Sequence, residues 1–153
     1  MGAQGLEIRI VNKAMEEPLK DFFVELETRG DEIFFHPHPF TPEEAIKRAN
    51  YDGKDLYYVL VSTGEILGYG MLRGWDEGYE IPSLGIAIRS SYRGKGLGIL
   101  LMHFLHAAAK MRGASRIRLK VNAENSNAIR LYEKFGYKFI DEENGELIGL
   151  VDI

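Results

Sequence analysis

The chain has 153 residues, the length of one ordinary domain, with 45% apolar residues, 27% charged residues and a formal net charge of −4. That balance offers no basic field for nucleic acid or an anionic membrane, and the absence of cysteine excludes disulfides, thiolate metal ligands and an acyl-thioester on the protein. No apolar run approaches a membrane span and the N-terminus lacks a signal-peptide pattern, so the expectation is a single cytoplasmic domain over residues 1–153.

Residues 6–11 alternate Leu6, Ile8 and Ile10 with Glu7 and Arg9, which predicts a first strand. Residues 18–28 repeat Leu19, Phe22, Phe23 and Leu26 at helical spacing, with Gly30 as the stop. In residues 34–40 the alternate prolines Pro37 and Pro39 forbid a regular helix, and Thr41-Pro42 then caps and starts a new one. Residues 56–62 and 65–73 read as a hairpin around Thr63-Gly64. After a turn at residues 74–78, residues 79–89 predict another strand running into a glycine-rich loop. Residues 97–112 are so apolar that the helix they predict is expected to be buried on most of its circumference, with His103, His106 and Lys110 on a solvent stripe. Residues 116–122 alternate Ile117, Leu119 and Val121 with charges, a strand with one wetter face. A short helix carrying Ala128, Leu131, Tyr132 and Phe135 ends at Gly136, and two strands around Glu143-Asn144-Gly145 close the chain. The fold class is α/β, with a mostly antiparallel meander, a strand-loop-helix-strand crossover and a final hairpin.

The loop Arg93-Gly94-Lys95-Gly96-Leu97-Gly98 lies between a strand and a helix start, where bare backbone and the helix dipole favour a phosphate or pyrophosphate. A P-loop needs Ser or Thr after Gly-Lys, and Gly96 stands after Lys95. A dinucleotide fold wants the pattern after the first strand with an acid about twenty residues on; here the loop is late, and Arg116 to Arg118 offer none.

With the downstream run Asn127-Ala128-Ile129-Arg130-Leu131-Tyr132-Glu133-Lys134-Phe135-Gly136-Tyr137, the loop resembles the GNAT superfamily of acyl-CoA-dependent N-acetyltransferases. The resemblance, carried by residues 79–153, implies a GNAT-like three-layer fold with a central parallel strand pair splayed around acyl-CoA. It implies acetyl-CoA as co-substrate, no metal, and an amine of a small molecule or protein N-terminus as acceptor. Ile86, Ala87 and Ile88 would hold pantetheine through the backbone, Arg93, Gly94, Lys95, Gly96, Leu97 and Gly98 the pyrophosphate, and Asn127 a further cofactor contact.

Acetyl transfer needs a neutral amine, a donor for the oxyanion and a proton for the departing thiolate. The resemblance makes an N–H near Ile88 the oxyanion donor and Tyr132 the proton donor. It also makes Glu80 the candidate base, acting through water, with Glu77 and Asp76 as rivals. Acids such as Asp31, Glu32, Asp76 and Glu77 could draw a cationic amine. His36 and His38 lack the third ligand zinc needs, which leaves substrate contact or a structural or solvated role. Trp75 either lines the acceptor site or sits at a hairpin tip. A domain that binds acyl-CoA without turnover is the alternative, and exposed sheet edges allow a homodimer.

Overall fold

The computed structural model describes residues 5–29 and 37–153; Asp31, Glu32 and His36 lie outside them. Strand β1 (Glu7–Ile10) is followed by a 3-10 turn at Lys13–Met15 and helix α1 (Glu16–Thr28). Helix α2 (Pro42–Ala49) begins as its sequence requires, with Thr41 Oγ1 accepting from the Glu44 N–H at 3.1 Å and Pro42 in the first turn. The hairpin β2 (Leu56–Ser62) and β3 (Glu65–Arg73) has the expected bounds, and positive φ at Thr63 and Gly64 makes its two-residue turn.

The next strand, β4 (Ser83–Ile88), is shorter than the pattern suggests. Pro82 has no N–H to give a ladder and restricts Ile81 before it, so residues 79–82 bend outside the strand. The remaining elements are α3 (Leu97–Met111), β5 (Arg116–Asn122), α4 (Ser126–Lys134), β6 (Lys138–Glu143) and β7 (Glu146–Asp152). Among the described residues, seven strands form one sheet in the order β1-β2-β3-β4-β5-β7-β6. Its neighbours are antiparallel except β4 and β5, which are parallel.

Two cores cover opposite faces of the sheet, giving three layers. Leu19, Phe22, Phe23 and Leu26 of α1 and Ala45 and Ala49 of α2 pack on Tyr57, Val59, Tyr69 and Met71. Met102, Leu105 and Ala109 of α3 and Tyr132 of α4 pack on Leu72, Leu84, Ile117, Leu119 and Val121. Helix α3 buries only this side. Ile99, Leu100 and Met111 are exposed, so the expectation of burial around most of its circumference is corrected. His106 also leaves the solvent stripe: it is half-buried, and its Nε2 lies 2.9 Å from the Tyr137 hydroxyl. Buried Arg89, beyond β4, ties this region to α1 through Glu25 and Asp21 while its Nε donates to the Ile66 carbonyl at 2.8 Å.

Candidate active site

Strand alternation decides which backbone groups are open. Arg89 donates its N–H to the Leu67 carbonyl at 2.8 Å, so the backbone of Ala87, two residues earlier, also turns toward β3. Leu84, Ile86 and Ile88 therefore turn theirs toward β5. That strand meets them only at its start, where Ser83 lies opposite Arg118 and Arg118 N–H donates to the Pro82 carbonyl at 2.9 Å. Beyond this point the strands part, leaving Ile86 and Ile88 on an open edge. The Ile88 carbonyl accepts from Arg93 Nε at 3.1 Å, which ties the loop to that edge.

The loop itself is held open. Gly94 and Gly96 adopt φ of +77° and +83°, a region L side chains rarely enter, and Gly96 caps α3 without a side-chain hydrogen bond. None of the backbone N–H groups of residues 94–99 bonds to a described residue. Several converging donors at the start of a 15-residue helix form an anion cradle. Lys95 is exposed beside it. Across from it, Leu131 of α4 lies 3.5 Å from where a Cβ on Gly98 would stand. Asn127 is exposed in the first turn of α4, its amide oxygen accepting from Arg130, and Asn125 is the residue that caps the helix.

A cavity of about 450 Å³ opens where the strands part. Leu84, Ile86 and Tyr132 line it from the α3–α4 face, and Gly85, Arg118 and Lys120 from the other. The cavity therefore passes through the sheet. Tyr132 is buried, its ring edge-on to Tyr137 at 5.8 Å, and its hydroxyl has no hydrogen-bond partner among the described residues. Burial pushes this phenol above its ordinary range, so it remains protonated at neutral pH.

The rim is clamped from a distant loop. The Asp55 carboxylate accepts from the Gly74 and Trp75 N–H groups, both at 2.9 Å, while Asp76 accepts from the Tyr51 hydroxyl and from Lys54 N–H. A Cβ at Gly53 would stand 2.3 Å from the Tyr51 oxygen, so a side chain there would displace the clamp. It fixes the turn that brings Glu77 and Tyr79 to the cavity wall. Glu80 is exposed and outside that lining. Trp75 packs with the α3–α4 core beneath the Arg112 guanidinium, 4.6 Å from its ring, away from the lining.

His38 lies under α1 and α2. Its Nδ1 is 2.8 Å from the Pro39 carbonyl, which can only accept, so Nδ1 carries the proton and Tyr69 O–H donates to Nε2 at 2.8 Å. Burial lowers its pKa to about 4, which keeps the ring neutral. Next to it Arg48 donates to the Tyr57 hydroxyl at 2.6 Å and pairs with Glu44 at 3.3 Å. Of the readings left open for this histidine, its burial and its two hydrogen bonds fit the structural one.

Arg118, Lys120 and Glu146, all lining the cavity, are residues that sequence reasoning does not single out. The wetter face of β5 was the signal for Arg118 and Lys120, but nothing in the sequence says which strand leaves that face uncovered.

The sequence profile described as "Acetyltransferase (GNAT) family" matches residues 16–137. An acetyltransferase of Sodalis glossinidius (strain morsitans) is 31% identical over 100 residues, covering 65% of this chain and 69% of that protein. The GNAT domain of S. lividans PAT superposes with a TM-score of 0.82 at 15% identity, covering 99% of this chain and 96% of that one. PaiA N-acetyltransferase from Thermoplasma acidophilum, solved in complex with coenzyme A, gives 0.78 at 18% identity, covering 97% and 99%. At these identities the two structures speak for the fold.

Proposed function

Since the chain belongs to the acetyltransferase (GNAT) family, we propose that it moves an acetyl group from acetyl-CoA to a primary amine of a small molecule or a protein N-terminus. The observation that carries this reading is the cavity running through the sheet where β4 and β5 part, with open backbone donors on one side and Tyr132 within. Acetyl-CoA supplies an activated acyl carbon and a leaving thiolate. The residues present suit it: the unpaired N–H groups of residues 94–99 for pyrophosphate, the edge of Ile86 and Ile88 for the amides of pantetheine, and Asn127 at the start of α4. Ala87, whose backbone faces β3, would contribute through its side chain.

With no cysteine to carry the acyl group, the amine attacks directly in a ternary complex. A carbon–nitrogen bond forms as the carbon–sulfur bond breaks, the Ile88 N–H receives the developing oxyanion, and Tyr132 gives its proton to sulfur. Donation from a phenol of reference pKa near 10 to a thiolate near 8.5 is uphill by about 2 kcal/mol, and burial adds to that. The proton lost by the amine goes to water held by an acidic group. Glu77, on the cavity wall, is better placed for that than Glu80, which is exposed outside it.

The test is release of free CoA thiol from acetyl-CoA with a library of amines, alongside calorimetric binding of acetyl-CoA with ATP as competitor. Tight binding with no release for any amine would sink the transfer reading in favour of an acyl-CoA sensor. Displacement by ATP would sink the cofactor assignment. A cytoplasmic location and a homodimer belong to the same reading, and light scattering decides the dimer; charges on the edge strands, Glu7 and Arg9 on β1 and Glu142 and Glu143 on β6, oppose pairing through the sheet edges.

A further inference from the structure

The cavity wall is not simply acidic. Arg73, Arg118 and Lys120 line it together with Glu77 and Glu146. Two of the cations have work to do: Arg73 donates to the Pro37 carbonyl at 2.5 Å, and Lys120 lies 3.5 Å from Glu143. Arg118 differs from both. Its side chain is half-buried, yet its guanidinium makes no hydrogen bond or ion pair with any described residue. Partly desolvating a cation with five N–H donors is costly unless something meets it. The sheet holds it there regardless, because β5 alternates and Ile117 and Leu119 must face the core on the other side.

We infer that the acceptor carries a carboxylate and that Arg118 binds it, so the substrate class is an amino acid or a comparably small amino-carboxylate; this rests on the transfer reading above. A guanidinium matches the two oxygens of a carboxylate in a planar, bidentate pair. The neighbouring carboxylates of Glu77 and Glu146 repel a doubly charged phosphate more than a singly charged carboxylate. Size agrees. At about 450 Å³ the cavity is at the small-ligand end of the range for binding sites. Arg118 stands opposite Ser83, and Ile86 is three residues further along β4, about 10 Å at the rise of an extended chain. Arg118 and Ile86 line the same cavity, which leaves room between anion and open edge for a compact molecule.

The experiment compares kcat/KM for free amino acids, their carboxamides, and aminoalkyl phosphates of matched length, by CoA release. The carboxylate form is expected to exceed its carboxamide by at least about tenfold. In Arg118→Gln that ratio falls to within about twofold, mainly through KM for the acceptor, and Arg118→Lys recovers part of it. Loss of fold alone lowers both acceptors together and leaves the ratio where it was, and the wild-type ratio needs no variant. Equal use of carboxylate and carboxamide, preference for the phosphates, or an unchanged ratio in Arg118→Gln would each overturn the inference. Amines acetylated without regard to the carboxylate leave the transfer reading standing, whereas no release with any acceptor removes both.

Discussion

Two polar clusters lie on the same sheet and are built on opposite principles. In the cluster of His38, Tyr69, Arg48, Tyr57 and Glu44, each polar side chain meets a partner across α2, β2 and β3. Around the cavity, Tyr132 and Arg118 are enclosed to different degrees, and neither functional group has a protein partner among the described residues. A satisfied buried network holds a structure in one arrangement; groups left unsatisfied at a cavity wall are available to something that enters. The difference separates a histidine and tyrosine pair closed on each other from a tyrosine whose hydroxyl stays open to the cavity.

The largest effect is expected at Tyr132. Tyr132→Phe is expected to lower kcat about 10²- to 10³-fold while leaving the melting temperature nearly unchanged, because no protein hydrogen bond is lost. A large fall in melting temperature with little change in turnover would put Tyr132 in the structural class. The sealed cluster should respond to pH. His38 has a folded pKa of about 4 against 6.5 unfolded, so the unfolded chain binds the extra proton first. Stability is then full above about pH 6.5, declines as pH falls toward 4, and has lost about 3 kcal/mol from this group below that. Urea titrations across that window check it, and His38→Gln should flatten the slope.

Smaller effects sharpen the picture on the open side. Gly96→Ala forces a Cβ into positive φ at about 1–2 kcal/mol, and acetyl-CoA affinity should drop about tenfold, read by calorimetry. Glu77→Gln should slow turnover about tenfold at neutral pH and Glu80→Gln less than about twofold; the reverse order in steady-state kinetics would return the base to Glu80.

What the sequence revealed follows from the range of each signal. The β2–β3 hairpin, the α2 cap and the glycine loop are encoded within a few residues, and they appear where the pattern predicts. Residues 79–82 read as strand by their apolar content, yet Pro82 lacks the N–H that a ladder needs and they lie outside β4. The exposed side of α3 has another cause. Composition gives apolar content, and only the neighbours available decide which of those residues are covered, leaving Ile99 and Leu100 exposed. The bond between His38 and Tyr69 spans 31 residues, and the clamp from Tyr51 and Asp55 onto the turn at residues 74–78 spans 25 and 19. Neither leaves a local trace. The alternation of β5 announced a wet face but could not say that β4 would abandon it.

The early parting of β4 from β5 has a mechanical side. It leaves strands β1 to β4 and strands β5 to β7 as two plates touching at Ser83 and Arg118, with α3 as the strut between them. A molecule laid along Ile86 and Ile88 would splice the plates, so loading should slow amide exchange at those positions and transmit the gain into β5, making the donor a temporary strand of its own enzyme.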